Sequence, residues 1–146
     1  MREVTEDLWE IEAEARVVTT NGSVRKDGKA VMGRGIALQA SRRHPLMAAT
    51  LGNLIKLHGN VPFFMFYDNE SLITLPVKHH WQQPADLKLI EVSTHEMVSM
   101  VNLKPWKIVA VPRLGCGNGQ RSWEEVKPII EPLLDDRFIV VNLPNA

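Results

Sequence analysis

Seven of the nine glycines fall in two short stretches, and bare backbone of that kind can hold an anion. Gly22, Gly28, Gly33 and Gly35 lie in "GSVRKDGKAVMGRG"; Gly115, Gly117 and Gly119 lie in "PRLGCGNGQRSW". Stripped of side chains, the main chain can approach an oxyanion closely and aim successive N–H groups at one oxygen. Each stretch follows a strand-like run and precedes a helix-like one, whose dipole would favour the same anion. Two such loops could hold the two halves of a diphosphate without an excess of lysine and arginine. The plainer alternative is a pair of ordinary turns and close helix–sheet contacts. Familiar phosphate motifs do not fit. "GSVRKDGKA" has five residues between its glycines where a P-loop has four, and Ala30 stands where that motif needs Ser or Thr. "GRGIAL" opens like a dinucleotide fingerprint but has Leu38 in place of the third glycine.

Other reactive residues are sparser. "HEMVS" lacks the second histidine of a zinc-protease helix, because Ser99 occupies its place. His79 and His80 are adjacent, so on a strand they point to opposite faces and cannot grip one metal together. Cys116 sits between glycines, where amide dipoles could lower its pKa, yet no base partner is evident and a small packing role competes. Lys78, in "LPVKHHWQQP", reads by itself as a solvated lysine at a strand end. Asp7 and Asn21 read by themselves as turn residues. Arg25, Lys26, Lys29, Arg34, Arg42 and Arg43 form either a solvated face or a surface for an acidic partner.

The elements that must position these residues alternate along the chain. "EVTEDLWEI", "ARVVTTN", "VPFFMFY", "SLITLPV", "KIVAVP" and "RFIVVNLP" have the apolar, β-branched character of strands. Helical spacing marks "IALQASRRH", "PLMAATLGNLIKLHG" with Pro45 in its first turn and Gly59 as its cap, residues 86–102, and Trp123 to about Asp135. "SWEE" at that last start reads as a capping box of Ser122 and Glu125. Such interleaving predicts an α/β domain with a mixed, partly parallel sheet.

With 146 residues, one domain spanning 1–146 is expected. Seventeen basic residues balance seventeen acidic ones, so there is no global electrostatic footprint for nucleic acid or anionic membrane, although a local patch is compatible with that balance. No apolar run is long enough to span a bilayer, and the acidic start lacks a signal core. The single cysteine excludes an internal disulfide framework. A cytoplasmic protein is expected.

Together, "DLWEIEAEARVVTTNG", "AVMGRGIALQA" and "PRLGCGNGQRSW" resemble the macrodomain family, whose members bind ADP-ribose. The resemblance implies a three-layer α/β/α fold around a mixed, mostly parallel sheet of about six strands. Asp7 and Asn21 keep the family's spacing between an adenine-reading aspartate and a ribose-contacting asparagine, and Leu8 would accompany Asp7. Val31, Met32, Gly33, Arg34, Gly35 and Ile36 match the loop over the proximal ribose and phosphates. Gly115, Cys116, Gly117, Asn118, Gly119 and Gln120 match the second phosphate loop. The "VMGRGIA" form is similar to the branch of lysine-dependent ADP-ribosyl hydrolases related to DNA ADP-ribosylation antitoxins and to terminal ADP-ribose protein glycohydrolase. Bacteriophages also carry stand-alone macrodomains of this kind.

In that branch a lysine attacks the opened distal ribose as a carbonyl. Lys78 stands at its place, with Val77 where threonine is usual. An acid common in the second loop is absent, since Gly119 and Ser122 occupy the relevant positions. The resemblance therefore implies a hydrolase releasing ADP-ribose from a modified nucleic acid or protein. Its alternatives are an ADP-ribose 1″-phosphate phosphatase and a non-catalytic reader or scavenger. It implies no cofactor, metal or membrane partner, and nucleic acid only as a modified substrate.

Overall fold

In the computed structural model the six apolar runs become one sheet: β1 (Arg2–Thr5), β2 (Ala15–Asn21), β3 (Phe63–Tyr67), β4 (Glu70–Lys78), β5 (Val109–Pro112) and β6 (Phe138–Asn142). Residues 1–144 are described; Asn145 and Ala146, the end of the expected domain, lie outside the described residues. The spatial order is β1-β6-β5-β2-β4-β3, and every neighbouring pair is parallel except the β3–β4 hairpin. Helices α1 (Gly35–Arg43), α2 (Met47–His58), α3 (Leu87–Val101) and α4 (Trp123–Ile130) connect the strands. This is the expected three-layer arrangement with a mixed, mostly parallel sheet.

Side chains alternate across a pleated strand, so each central strand feeds two cores. Val17, Val109, Val111, Phe138 and Val140 point to one face, where they meet Ile90, Met97 and Val101 of α3 and Val126 and Ile130 of α4. Val18, Ala110, Ile139 and Val141 point to the other, against Ile36, Ala37 and Ala40 of α1 and Met47 and Leu51 of α2. A fully buried Val, Leu or Phe contributes about 1.5–3 kcal/mol, so both helix layers are held mainly by this alternation.

Among the boundaries that differ from the sequence reading, three matter most. The first strand ends at Thr5, because the Asp7 carbonyl accepts from the Glu10 and Ile11 amides and the Asp7 carboxylate from the Trp9 amide. That turn lets Leu8 and Ile11 both enter the core. α2 begins at Met47, leaving Pro45 ahead of it. The last helix stops at Ile130 and tightens into a 3-10 turn at Glu131–Leu133, where Pro132 has no N–H to continue the α-helical ladder.

The connections decide where a ligand can sit. After β2 the chain crosses through α1 and α2 to β4 on one side; after β4 it returns through α3 to β5 on the other. A crevice outside the strand carboxyl ends at such a switch of direction is where open α/β sheets bind ligands. The first glycine stretch is fixed over this crevice from behind. Ala30 donates its amide to the Ala48 carbonyl of α2 at 2.8 Å, and a Cβ on Gly52 of that helix would strike the Gly28 carbonyl. Gly52 thus serves the site while lying outside both loops.

Candidate functional site

A cleft of about 1250 Å³ runs across the carboxyl ends of β6, β5, β2 and β4, in that order. Val141, Asn142 and Leu143 line its β6 end; Pro112 and Arg113 follow at β5, then Thr19, Thr20 and Asn21 at β2. Val77 and Lys78 come next at β4, with Trp81 and Gln82 just beyond that strand. Both glycine loops form its walls, through Gly33–Ile36 and Gly115–Gln120.

Gly35 shows how closely the loops meet. Its φ is +59°, and a Cβ there would lie 2.9 Å from the Asn118 side-chain nitrogen of the opposite loop. Gly33 and Gly117 would meet nothing within 4 Å, so their bare faces look into open space. The second loop is braced by the segment ahead of α3: the Ala85 amide donates to the Gly119 carbonyl at 2.8 Å, and Arg121 Nε donates to the Ala85 carbonyl at 2.7 Å.

Helix starts around the cleft differ in a telling way. Asp86 caps α3 by accepting from the Lys88 and Leu89 amides, and Ser122 with Glu125 completes the expected capping box on α4. α1 has neither: Arg34 at its N-cap makes no side-chain capping bond, and no acid lies in its first turn. The first amides of a helix lack intrahelical acceptors. Those of α1 open on the cleft and suit an anion, with the helix dipole behind them.

Lys78 ends β4 directly beside Asn21 of β2, past an irregularity in register between Thr20 and Asn21. Burial chiefly, and Arg34 secondarily, hold the Lys78 pKa below its ordinary value. Its Nζ donates to the Trp81 carbonyl at 3.4 Å, and Asn60 anchors its own carbonyl at 2.9 Å. Asn21 knits the first loop: Nδ2 donates to the Val31 carbonyl at 3.1 Å, while Oδ1 accepts from the Ser23 amide at 2.9 Å. One amide hydrogen and one lone pair of Asn21 remain for a ligand.

Of the residues singled out in the sequence, Lys78, Asn21, Val31, Gly33, Arg34, Gly35, Ile36 and the run Gly115, Cys116, Gly117, Asn118, Gly119, Gln120 share this cleft. Met32 is buried in the core beside it, and Leu8 is wholly buried, main chain included, with its carbonyl accepting from Arg16 Nε at 2.8 Å. Asp7 is exposed outside the lining, next to its β6 end, where the Glu6 amide donates to the Asn142 carbonyl. Cys116 fits a small packing role better than a reactive one: burial raises its thiol pKa by more than the Arg113 guanidinium lowers it, so it is a poor nucleophile. His79 pairs with Asp86 at 2.7 Å, and among the described residues no group of three or more His, Cys, Asp or Glu could hold a metal.

Sequence reasoning passed over Arg113 and Trp123 as site residues. Arg113 lies 5.0 Å over the Trp123 ring, and Trp123 Nε1 donates to Glu3 of β1 at 2.9 Å, which fixes the indole in the wall. The cations of the basic cluster also separate. Arg25 and Arg34 line the cleft, whereas Arg43 pairs with Glu70 and stacks on Trp9. Arg25, Arg34, Lys78 and Arg113 line the cleft with no carboxylate or imidazole among the described lining residues.

A six-stranded α/β/α sheet whose carboxyl end holds an uncapped helix start facing a second bare loop is the architecture of a macrodomain, and the chain belongs to that family. Within the family it is of the DarG type. The macrodomain of Mycobacterium tuberculosis DarG superposes with a TM-score of 0.81 at 29% identity, over 99% of this chain and 97% of that one. The Thermus aquaticus DarG macrodomain gives 0.81 at 28% identity, over 98% and 97%. Thermosipho africanus DarTG in complex with ADP-ribose shares the fold, at 21% identity and a TM-score of 0.77, over 95% and 40%. In sequence the chain is 33% identical to the M. tuberculosis "DNA ADP-ribosyl glycohydrolase" over 129 residues, which are 83% of this chain and 35% of that protein. It is 29% identical to the T. aquaticus protein of the same name over 147 residues, 92% and 38% respectively. The chain thus spans little more than a third of the length of these curated relatives. No model of a protein family matches it.

Among the described residues no helix is long and apolar enough to cross a membrane.

Proposed function

We propose that the cleft binds ADP-ribose and that Lys78 releases it from a modified DNA base. The observation that carries this reading is the meeting of both amide-bearing loops, Asn21 and a lysine of lowered pKa in a single cleft. The diphosphate lies between the α1 start at Gly33–Ile36 and the loop Gly115–Gln120. The adenosine reaches toward the β6 end, where the exposed Asp7 carboxylate can accept from the adenine amine. The distal ribose lies against Asn21 and Lys78. Met32 supports the first loop from its buried side, and Val31 faces the cleft ahead of it.

The chemistry needs the free amine of Lys78, and burial and Arg34 both shift its equilibrium toward that form. With the distal ribose opened, Nζ adds to C1″; the bond from C1″ to the base nitrogen breaks, and that nitrogen leaves with a proton from solvent. Water then adds to the resulting Schiff base and expels the lysine, so that one water is consumed for each ADP-ribose released. The names of the curated relatives support a DNA substrate. We place the protein in the cytoplasm, where a lone cysteine stays reduced.

The lack of a carboxylate in the lining favours one competing reading, a reader that binds ADP-ribose without turnover. One experiment separates the two. Borohydride added during incubation with an ADP-ribosylated oligonucleotide should fix a covalent adduct on the native protein and none on Lys78→Ala. Calorimetry should show ADP-ribose binding by both. Binding without an adduct or release from the native protein establishes the reader.

A further inference from the structure

The cleft continues past Lys78 to Trp81 and Gln82. Its strands run β6, β5, β2, β4. A nucleotide with its adenosine toward β6 and its distal ribose at Lys78 of β4 leaves Trp81 and Gln82 beyond the reacting carbon. The geometry points to this end as a seat for the base that carries the ADP-ribose: a nucleobase of a nucleic-acid strand stacks on the Trp81 indole, and Arg25 takes a neighbouring phosphate. This rests on the ADP-ribosyl hydrolase reading and names the leaving group's site within it.

Several features make Trp81 a built platform rather than a stray surface residue. It is 49% exposed although apolar, and it lines the cleft. Its main chain is held on both sides, the amide donating to Ser23 Oγ at 3.0 Å and the carbonyl accepting from Lys78 Nζ at 3.4 Å. The His80 ring backs the indole, with centroids 6.1 Å apart and planes 30° from parallel. Any shift of Trp81 is therefore felt at the Lys78 amine. Arg25, on the facing loop, has a side chain 61% exposed whose guanidinium pairs with Asp27 at 3.0 Å, an exchangeable surface contact. Gln82 supplies one donor–acceptor amide for a base edge. An aromatic face, an amide and a cation at the mouth of a carboxylate-free cleft form the recognition set of a single strand, since every base has a π-face and every linkage an anion. A protein carrying ADP-ribose on a glutamate would leave this indole with nothing planar to stack on.

The test compares Trp81→Ala and Trp81→Phe with the native protein in two measurements. One is turnover of an ADP-ribosylated single-stranded oligonucleotide. The other is equilibrium binding of that oligonucleotide and of free ADP-ribose, read on a Lys78→Ala background so that substrate persists. Trp81→Ala should lower kcat/KM and oligonucleotide affinity about ten- to a hundredfold, leave ADP-ribose affinity within about twofold, and be largely rescued by Trp81→Phe. Arg25→Gln should reduce the salt dependence of oligonucleotide binding by close to one phosphate contact. An unchanged oligonucleotide affinity in Trp81→Ala overturns the seat. So does an equal loss for oligonucleotide and ADP-ribose, which marks the indole as structural. A native protein that ignores ADP-ribose altogether overturns the underlying assignment, and the seat falls with it.

Discussion

Replacing Gly35 with alanine isolates the role of main-chain amides at the start of α1. The residue has φ +59°, a region in which an L side chain costs about 1–2 kcal/mol. Its new Cβ would lie 2.9 Å from Asn118 Nδ2, the far end of a flexible side chain that can swing aside. The stability loss should therefore stay near that strain, a fall in Tm of about 3–8 °C for a domain of this size. Binding should suffer in addition, because relief of the strain re-aims the amides of Gly35 and Ile36 and displaces Asn118 from the opposite wall. A hydrogen bond to a charged group is worth about 1.5–3 kcal/mol, so losing one weakens ADP-ribose about ten- to a hundredfold. Gly59 is the control: at the C-cap of α2 it has φ +88° with nothing within 4 Å of a would-be Cβ, and it does not line the cleft. Gly59→Ala, with ψ −174° in a region essentially reserved for glycine, should lose at least as much thermal stability without the binding loss. Thermal denaturation and calorimetry on both variants decide the matter. If Gly35→Ala binds ADP-ribose as the native protein does, the amides of α1 are not the phosphate ligands.

Two further outcomes follow from charge. Arg34 adds to burial in lowering the Lys78 pKa, so Arg34→Gln should raise that pKa and move the acidic limb of the pH–rate profile to higher pH; an unmoved limb would show that burial alone sets that amine. Asp86 has a pKa below its ordinary value, chiefly through its bond from His79 and then through the Lys88 and Leu89 amides. The stability it gives is complete above about pH 4, the ordinary aspartate pKa, and is lost as pH falls through its lower native value. Asp86→Asn, which keeps a capping side chain, should flatten that acid decline in Tm; an unaltered decline would assign it to other carboxylates.

The sheet was legible because its signal is local. β2 falls on "ARVVTTN", and both faces of "IVAV" and "FIVV" are apolar because helices cover both sides of the sheet. The glycine loops were legible as a pair, since each sits where a strand hands over to a helix. What escaped was long-range. No spacing rule connects Gly52 to Gly28, or Trp123 to Glu3 across 120 residues. For Cys116 the neighbouring glycines signal amide dipoles but not burial, and burial governs its thiol. Arg113 was hidden within "VPRLG", where nothing in the sequence says that a strand end faces a cleft.

Charge in the cleft also bears on the missing acid. A carboxylate at Gly119 or Ser122, near enough to assist a leaving group, would stabilise the ammonium form of a nearby Lys78 and raise its pKa. The lining supplies the opposite bias, with Arg25, Arg34 and Arg113 and no carboxylate among its described residues, in a chain whose total charge is zero. Arg25 and Arg113 are partly offset by Asp27 and Glu3, so Arg34 is the lining cation that acts on the Lys78 amine. Loss of the acid thus exchanges help for the departing base against a larger population of reactive lysine. That exchange favours a leaving group able to depart with a proton from solvent at the open mouth, and a ring nitrogen of a nucleobase exposed beside Trp81 is such a group.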